Sequence, residues 1–335
     1  MKISIIIPVY NEAKGIAVCV KEILTTAQNI EAKWDASVDF IFIDDGSRDG
    51  SASIINALDF GHHQSCLFIM SRNFGKEAAL TAGMKFAMES DVHCDAAIMI
   101  DADMEHPPAL MEQLVQTWQE THVDSVYFYK ADRRKQEGFI KSIVSKIFYK
   151  LMNFGTRVEI IADAGDYRLI NRKFMNALCD LPEHQRFMKG LYSWVGFDQV
   201  GLPFAPGKRI AGSTKFSTVN LILLALDGLT SFTTAPLRLM MLGGIVISSL
   251  SILYGLYIVL EAIFFPGVPA GIASILTLIS LFGGLQILCF GILGEYVGRN
   301  LNEAKRRPTF LIKEEINISK RRVVTKPKTK RASKP

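Results

Sequence analysis

The sequence predicts an α/β domain built on a doubly wound parallel sheet, followed by a transmembrane helical hairpin. Short apolar runs alternate with helical stretches over residues 1–130, which is typical of a parallel sheet with helices on both faces. Near the C-terminus, 22 residues from Leu239 to Leu260 and 33 residues from Ala262 to Gly294 carry no charged side chain. Each run is long enough for a membrane span, which needs about 20 apolar residues.

Each predicted strand is a short apolar run, and a turn and a helical stretch follow it. Strands are predicted at 3–9, 38–43, 66–70, 96–100 and 125–129, and helices at 13–28, 51–58, 75–88 and 108–120. In a parallel sheet, ligands bind beyond the carboxyl ends of the strands. The residues that directly follow these strands are therefore the first candidates for a functional site.

Two acidic clusters occupy such positions. Asp44 and Asp45 end the second predicted strand, while Asp101, Asp103 and Glu105 follow the fourth and precede two prolines. Carboxylate oxygens in this pattern suit Mg²⁺ or Mn²⁺ and leave coordination positions for substrate phosphates. The alternative is an acidic loop that opens a helix, with carboxylates near the positive end of the helix dipole.

Two further stretches lie between the predicted sheet and the first charge-free run. Residues 131–150 are basic and amphipathic, a pattern that predicts a helix with one solvated face. Near a membrane such a helix can lie in the interface and collect phosphates. Residues 215–237 are apolar with few charges, and we expect an interfacial helical stretch there.

Cations flank the charge-free region, whereas the turn between its two runs, with Pro266 and Pro269, carries no charge. The flanking cations are Lys208, Arg209, Lys215 and Arg238 before the charge-free region and Arg299, Lys305, Arg306 and Arg307 after it. The positive-inside rule therefore predicts that the N-terminal domain and the C-terminal tail are cytoplasmic and the turn is outside. Pro8 and Asn11 interrupt the first apolar run, so no signal peptide is predicted.

The net charge of +5 comes from the C-terminal tail. Residues 320–335 contain eight Lys or Arg and no acid, so the rest of the chain carries −3 (5 − 8). This composition predicts a disordered tail that contacts anionic lipid rather than nucleic acid. The five cysteines form no Cys-x-x-Cys pair, and we expect reduced thiols.

These features divide the chain into six predicted regions. They are a cytoplasmic globular domain at 1–212, juxtamembrane amphipathic helices at 213–236, transmembrane helices at 237–265 and 270–297, a cytoplasmic segment at 298–318 and a basic disordered tail at 319–335.

Six motifs then identify a family resemblance. They are Ile-Ile-Ile-Pro-Val-Tyr-Asn-Glu (5–12), Ile-Asp-Asp-Gly-Ser (43–47), Arg-Asn-Phe-Gly-Lys (72–76), Asp-Ala-Asp-Met-Glu-His-Pro-Pro (101–108), Asp-Ala-Gly-Asp-Tyr-Arg-Leu (163–169) and Arg-Ile-Ala-Gly-Ser-Thr-Lys-Phe (209–216). In this order they resemble the GT-A family 2 glycosyltransferases of the polyisoprenyl-phosphate type. Within that family the chain looks like the bactoprenol glucosyltransferase and dolichol-phosphate mannosyltransferase group with a C-terminal two-helix anchor. The resemblance implies a GT-A, Rossmann-like catalytic domain.

The resemblance implies a binding site for a nucleotide-sugar donor. Its residues would be Pro8, Tyr10, Glu12, Asp44, Asp45, Lys76, Asp101, Ala102, Arg209 and Lys215. Asp44 or Asp45 would accept a hydrogen bond from the base or ribose, and the sequence leaves that choice open. Arg209 and Lys215 match positions that the family uses to grip the donor phosphates, although ordinary basic residues are common before a membrane span.

The resemblance also implies a divalent metal, Mg²⁺ or Mn²⁺, held by Asp103 and Glu105, with Asp103 as a catalytic residue. The metal would offset the charge that builds on the leaving nucleoside diphosphate. Many relatives carry Gln where this chain has Glu105. An extra carboxylate would tighten a hard cation but add negative charge beside an anionic donor.

At the acceptor end, Asp166 matches the family's candidate general base. A polyisoprenyl phosphate is already an anion near neutral pH, so Asp166 could instead position the acceptor or Arg168. Arg133, Arg134 and Arg186 are candidates for the acceptor phosphate, because the guanidinium fork matches phosphate oxygens. Plain surface arginines are the alternative for all three.

The implied function is that of an inverting hexosyltransferase, which moves one sugar from a nucleotide sugar to undecaprenyl or another polyisoprenyl phosphate. UDP-glucose is the favoured donor, ahead of a UDP-amino sugar or GDP-mannose. The resemblance places the enzyme in the bacterial inner membrane, multi-pass, where it would supply sugar for cell-envelope glycans such as lipopolysaccharide. It also implies a homo-oligomer, namely a tetramer, together with a flippase and a downstream transferase as partners.

Two other functions compete with this one. A processive polysaccharide synthase looks to need several more spans and a Gln-x-x-Arg-Trp motif, where this chain has Gln185-Arg186-Phe187. A catalytically silent protein that binds a lipid-linked sugar or assists a flippase would have no use for the acidic clusters, whose mutual repulsion costs stability. The sequence therefore favours the transferase.

Overall fold

The computed structural model describes residues 1–89, 94–130, 164–184, 186–204, 235–264 and 271–319. The described residues fall into two compact units. The first contains the β-sheet with its surrounding helices, and the second contains two long C-terminal helices.

The first unit is built on an eight-stranded sheet with the strand order β7-β5-β6-β4-β1-β2-β3-β8. The strands are β1 (Lys2–Val9), β2 (Ser37–Asp44), β3 (Ser65–Met70), β4 (Ala96–Met99), β5 (Ser125–Lys130), β6 (Ala164–Asn171), β7 (Gln199–Phe204) and β8 (Ile312–Asn317). The predicted α/β class is confirmed, and β4-β1-β2-β3 form the predicted parallel core.

The sheet is mixed rather than wholly parallel. β6 runs antiparallel to both of its neighbours, β4 and β5, and β8 runs antiparallel to β3. β8 is supplied by the chain that follows the two long helices, in the region that the sequence predicts only as a segment beyond the hairpin. Ile316 is buried, whereas Lys313, Glu314 and Glu315 are exposed, and one buried position gives too weak a pattern to predict a strand.

The helices are α1 (Ile16–Trp34), α2 (Ser51–Ala57), α3 (Lys76–Glu89), α4 (Met111–Thr121), α5 (Arg172–Asp180), α6 (Met188–Trp194), α7 (Ala235–Phe264) and α8 (Ile272–Ala304). A 3₁₀ turn at Pro108–Leu110 precedes α4, where the sequence predicts the helix itself from 108. Pro108 lacks a backbone N–H and therefore suits the first turn of a helix.

The central strands are buried on both faces, which explains their nearly continuous apolar sequence. Ile3, Ile5 and Ile7 belong to the core cluster that includes residues of α1 such as Ile23. On the other face, a Cβ added at Gly83 of α3 would lie 2.3 Å from a methyl carbon of Ile6. Only glycine therefore lets α3 approach β1 this closely.

In the second unit, α7 and α8 are long and apolar enough to cross a membrane by length and composition, over Leu239–Tyr257 and Leu281–Ala304. Their large apolar side chains, for example Ile252 and Ile287, are exposed. A soluble protein rarely exposes apolar surface of this extent.

Candidate active site

The loops that follow β1 and β2 are joined by hydrogen bonds at the carboxyl edge of the sheet. The backbone N–H groups of Asn11 and Glu12 donate to the hydroxyls of Ser47 and Ser51, each at 2.9 Å. Asn11 has a φ of 56°, a conformation that Asn tolerates better than most residues. This network fixes the loop that carries Tyr10, whose side chain is partly exposed beside it.

The two adjacent aspartates at the end of β2 have different partners. The Asp45 carboxylate accepts from the backbone N–H of Phe74 at 2.6 Å and of Gly75 at 2.9 Å. Burial raises the pKa of Asp45, although these two hydrogen bonds oppose the rise. Asp44 instead accepts from Ser47 within its own turn, at 2.8 Å. Asp45 therefore ties the loop after β2 to the loop after β3.

Gly46 allows these two loops to meet. Its φ is +71°, and a Cβ at this position would lie 2.7 Å from the carbonyl carbon of Arg72. Both the backbone conformation and the close approach require glycine.

Lys76, the first residue of α3, connects two carboxylates that are distant in sequence. Its Nζ lies 2.7 Å from the Asp101 carboxylate, just beyond β4, and 2.9 Å from the Asp166 carboxylate on β6. Burial opposes ionisation of Asp166, but the neighbouring cations, Lys76 first and then Lys189 and Arg168, together outweigh it and lower the pKa of Asp166 to about 2. Burial likewise disfavours the Lys76 ammonium, yet the two carboxylates raise its pKa above the ordinary value.

The acidic turn after β4 is compact. Asp103 accepts from the backbone N–H of Glu105 at 2.9 Å, and Met104 between them has a φ of 62°. The oxygen-only side chains of Asp103 and Glu105 fit a hard divalent cation. In the part of the chain that the structure describes, the three metal-ligating side chains that meet within 4.8 Å are Glu31, His62 and His63, at a different place in the unit.

His106 lies beside this turn and was not predicted as a site residue. Its ring stacks on Tyr167 at 5.0 Å between centroids, and its Nδ1 lies 3.6 Å from the Asp101 carboxylate. Burial lowers the pKa of His106, although the charge of Asp101 opposes this. The signal in the sequence is its place directly after the acidic cluster.

Arg168 is fully buried next to Asp166. Its guanidinium donates two hydrogen bonds to the carbonyl oxygen of Gly165, at 3.1 and 3.2 Å, and lies 3.5 Å from the centre of the Tyr192 ring. Burial lowers the pKa of Arg168, and cation–π contact offsets part of the cost of burying its charge. Arg168 therefore fixes the backbone immediately before Asp166.

Glu77 is a further carboxyl, partly buried, that sequence reasoning missed. It accepts from the backbone N–H of Met188, at the start of α6, at 2.5 Å. Burial, and then the charge of Asp166, raise the pKa of Glu77 to about 8. This hydrogen bond joins α3 to α6, next to Lys76 in the sequence.

Of the three cations predicted at the acceptor end, the described residues include Arg186. The Arg186 guanidinium donates to the carbonyl oxygens of Leu178, Leu181 and Glu183, at 2.9, 2.6 and 3.2 Å. These bonds tie Arg186 to the C-terminal end of α5 and the loop after it, and its contact with the acceptor phosphate stays a prediction. Arg133, Arg134, Arg209 and Lys215 lie outside the described residues.

The remaining predicted donor residues lie at the same edge of the sheet. Pro8 is in β1, and Glu12 precedes α1. Ala102 is buried between the acidic side chains of the turn after β4. The edge therefore carries Tyr10, Asp44, Lys76, the acidic turn and Asp166 together.

The chain is similar to known proteins over most of its length. Residues 4–179 match glycosyl transferase family 2. A prophage bactoprenol glucosyl transferase homolog of Escherichia coli (strain K12) is 38% identical over 313 residues, covering 93% of this chain and 99% of that protein. The bactoprenol glucosyl transferase of Shigella phage SfV is 38% identical, over 94% of this chain and 99% of that protein. The uncharacterized glycosyltransferase sll0501 of Synechocystis sp. (strain ATCC 27184 / PCC 6803 / Kazusa) is 36% identical, over 94% and 95%.

Proposed function

Because this chain belongs to glycosyl transferase family 2 and is a glycosyltransferase, we propose that it transfers one sugar, with inversion, from UDP-glucose to a polyisoprenyl phosphate at the cytoplasmic face of a bacterial membrane. The names of its relatives support a lipid carrier as the acceptor. The observation that carries the proposal is the Lys76 ammonium, which lies between Asp101 and Asp166 at 2.7 and 2.9 Å. It joins the expected donor and acceptor positions in one cleft.

On the donor side, Asp44 accepts a hydrogen bond from the base or ribose beside Tyr10. Both oxygens of Asp45 accept backbone N–H groups of the next loop, which favours Asp44 for this role. Asp103 and Glu105 would hold the divalent cation, which when bound would supply positive charge for the leaving nucleoside diphosphate.

On the acceptor side, Asp166 acts as a positioning residue rather than as a general base. A carboxylate with a pKa of about 2 is a poor proton acceptor, because effective general bases have pKa values near the working pH. An anionic phosphate needs no deprotonation. Its oxygen forms the new bond to the anomeric carbon, while the bond from that carbon to the nucleoside diphosphate breaks and its electron pair leaves with the diphosphate.

The sheet also bears on the membrane arrangement. β3 precedes α7 and α8 in the chain, and β8 follows them, yet the two strands are neighbours in one sheet. Both ends of the helical region therefore connect to the same unit, which supports two membrane crossings by a hairpin rather than one crossing. The charge-free turn and the basic flanks agree with this arrangement.

The test is transfer by the purified full chain in detergent. UDP-glucose, a UDP-amino sugar and GDP-mannose, each radiolabelled, are offered with undecaprenyl phosphate and Mg²⁺ or Mn²⁺, and lipid-extractable label is measured. We expect label from UDP-glucose in a product whose anomeric configuration is inverted. Label from another donor alone would replace the sugar assignment, whereas release of free sugar without lipid product would overturn the acceptor assignment.

A further inference from the structure

A second cluster of charged and metal-ligating side chains lies away from the active site. Glu31 is in the last turn and a half of α1, and His62 and His63 lie in the loop before β3. They gather near Val38, the second residue of β2. This is the amino end of the strands, whereas Asp44 and Asp101 stand at the carboxyl end.

The two histidines converge on one carboxylate. Nε2 of His62 lies 2.8 Å from one oxygen of Glu31, and Nδ1 of His63 lies 3.3 Å from the other. Nδ1 of His63 also lies 3.1 Å from the carbonyl oxygen of Val38. Each of the three side chains offers one ligand atom, and these three atoms all lie within 4.8 Å of one another.

The histidine nitrogens face oxygen acceptors, so each contact needs either a proton on the ring nitrogen or a metal ion between the two atoms. Two protons could serve, one on each ring. A single metal ion would serve both contacts at once, since two imidazoles and one carboxylate form a ligand set that zinc uses in proteins. Nitrogen ligands also distinguish this cluster from the oxygen-only pair at Asp103 and Glu105, which suits Mg²⁺ or Mn²⁺.

The spacing is close to that of a small tetrahedral ion. Metal–ligand distances of about 2.0–2.1 Å place neighbouring ligand atoms roughly 3.3 Å apart. Nδ1 of His63 already lies 3.3 Å from one Glu31 oxygen, whereas Nε2 of His62 lies 2.8 Å from the other, so His62 must shift before both nitrogens and one oxygen surround a single ion. The His62 side chain is 69% exposed, so it can shift without disturbing the core.

We propose that Glu31, His62 and His63 bind one zinc ion or a similar transition-metal ion, independently of the catalytic metal. The fourth position is taken by water or by the Val38 carbonyl oxygen. The ion would link the end of α1 to the loop before β3 and to the start of β2. The ion would stabilise the amino end of the neighbouring strands, and it takes no part in sugar transfer.

The proposal is tested by zinc binding to the full chain in detergent, purified without a polyhistidine tag and treated with EDTA. Zinc is titrated calorimetrically in excess Mg²⁺, which occupies oxygen-ligand sites. We expect one zinc site, lost or weakened at least tenfold in Glu31→Gln and in His62→Asn. Glu112→Gln is the matched control, because Glu112 also bonds to α1, through Asn29 at 3.0 Å, and should bind zinc as the native chain does.

Thermal unfolding supplies the second measurement. Zinc should raise the melting temperature of the native chain and of Glu112→Gln, but not that of Glu31→Gln or His62→Asn. Equal zinc affinity in all four proteins would place the ion elsewhere, and the absence of binding would leave only protons between the rings and the carboxylate. Either result overturns the proposal.

Discussion

Replacing Lys76 with Met tests the central contact of the active site. The substitution keeps the length and packing of the side chain but removes the ammonium between Asp101 and Asp166. The two carboxylates then face each other without the ammonium that bridges them. We expect sugar transfer to fall about 100-fold, the size of loss seen when one preorganised electrostatic group is removed.

The stability effect follows from the pKa of Asp166. A change from the ordinary value of 3.8 to about 2 corresponds to roughly 2.4 kcal/mol, at 1.36 kcal/mol per pKa unit. Lys76 shares this shift with Lys189 and Arg168, and 42% of its side chain is exposed, so after solvent screening its own contribution is about 1–2 kcal/mol. A lowered carboxyl pKa stabilises the fold above pH 3.8, and the contribution is lost as the pH falls through about 2.

Urea unfolding followed by tryptophan fluorescence measures this effect selectively, because Trp34, Trp118 and Trp194 all lie in the α/β unit. Lys76→Met should lower the free energy of unfolding by about 1–2 kcal/mol near neutral pH. Lys85→Met, on the same helix, is the control and should leave transfer unchanged. Native stability and native turnover in Lys76→Met would refute the reasoning.

Four further predictions test other parts of the chain. Asp103→Asn should abolish transfer while Asp180→Asn does not, and near-normal turnover of Asp103→Asn at saturating Mg²⁺ or Mn²⁺ would contradict the metal assignment. Glu77→Gln should flatten the pH dependence of the free energy of unfolding. A carboxyl pKa raised from 4.5 to about 8 contributes stability that is fully present below pH 4.5 and is lost as the pH rises through about 8. An unchanged pH dependence of unfolding between those values would count against the burial of Glu77. Removing residues 320–335 should leave transfer to a short-chain soluble acceptor intact and weaken binding to anionic vesicles by at most ~1 kcal/mol per cation, whereas complete loss of transfer would reveal another role for the tail. A cysteine replacing Pro266 should react with an impermeant reagent only from the outer side, and reaction from the cytoplasm would invert the arrangement.

Local sequence patterns predicted the parts of the fold that depend on local forces. Apolar runs bounded by turn residues marked β1 to β5, because a strand buried on both faces must be apolar throughout. The same reasoning placed Asp44 and Asp101 at one edge of the sheet. The sequence did not predict the antiparallel strands β6 and β8, because the direction of a strand depends on how segments distant in sequence pair in the sheet.

The partners of the site residues could not be read from the sequence for a related reason. Lys76 and Asp101 are 25 positions apart, and nothing in either motif shows that they touch. Likewise, one sequence could not distinguish Asp45, which holds a neighbouring loop, from Asp44. Nor could the sequence show that Arg186, predicted at the acceptor phosphate for its charge, also donates to backbone carbonyls at the end of a helix.

The position of β8 sets the order in which the protein can be completed. A ribosome synthesises β3 early, but the strand that covers its outer edge, Ile312–Asn317, emerges only after α7 and α8. Until then the backbone N–H and C=O groups along that edge of β3 have no neighbouring strand, and such edges invite pairing with other chains. A nascent chain that stalls within its apolar helices is therefore an aggregation hazard. For the same reason, a catalytic unit cut away from those helices would lack part of its own sheet.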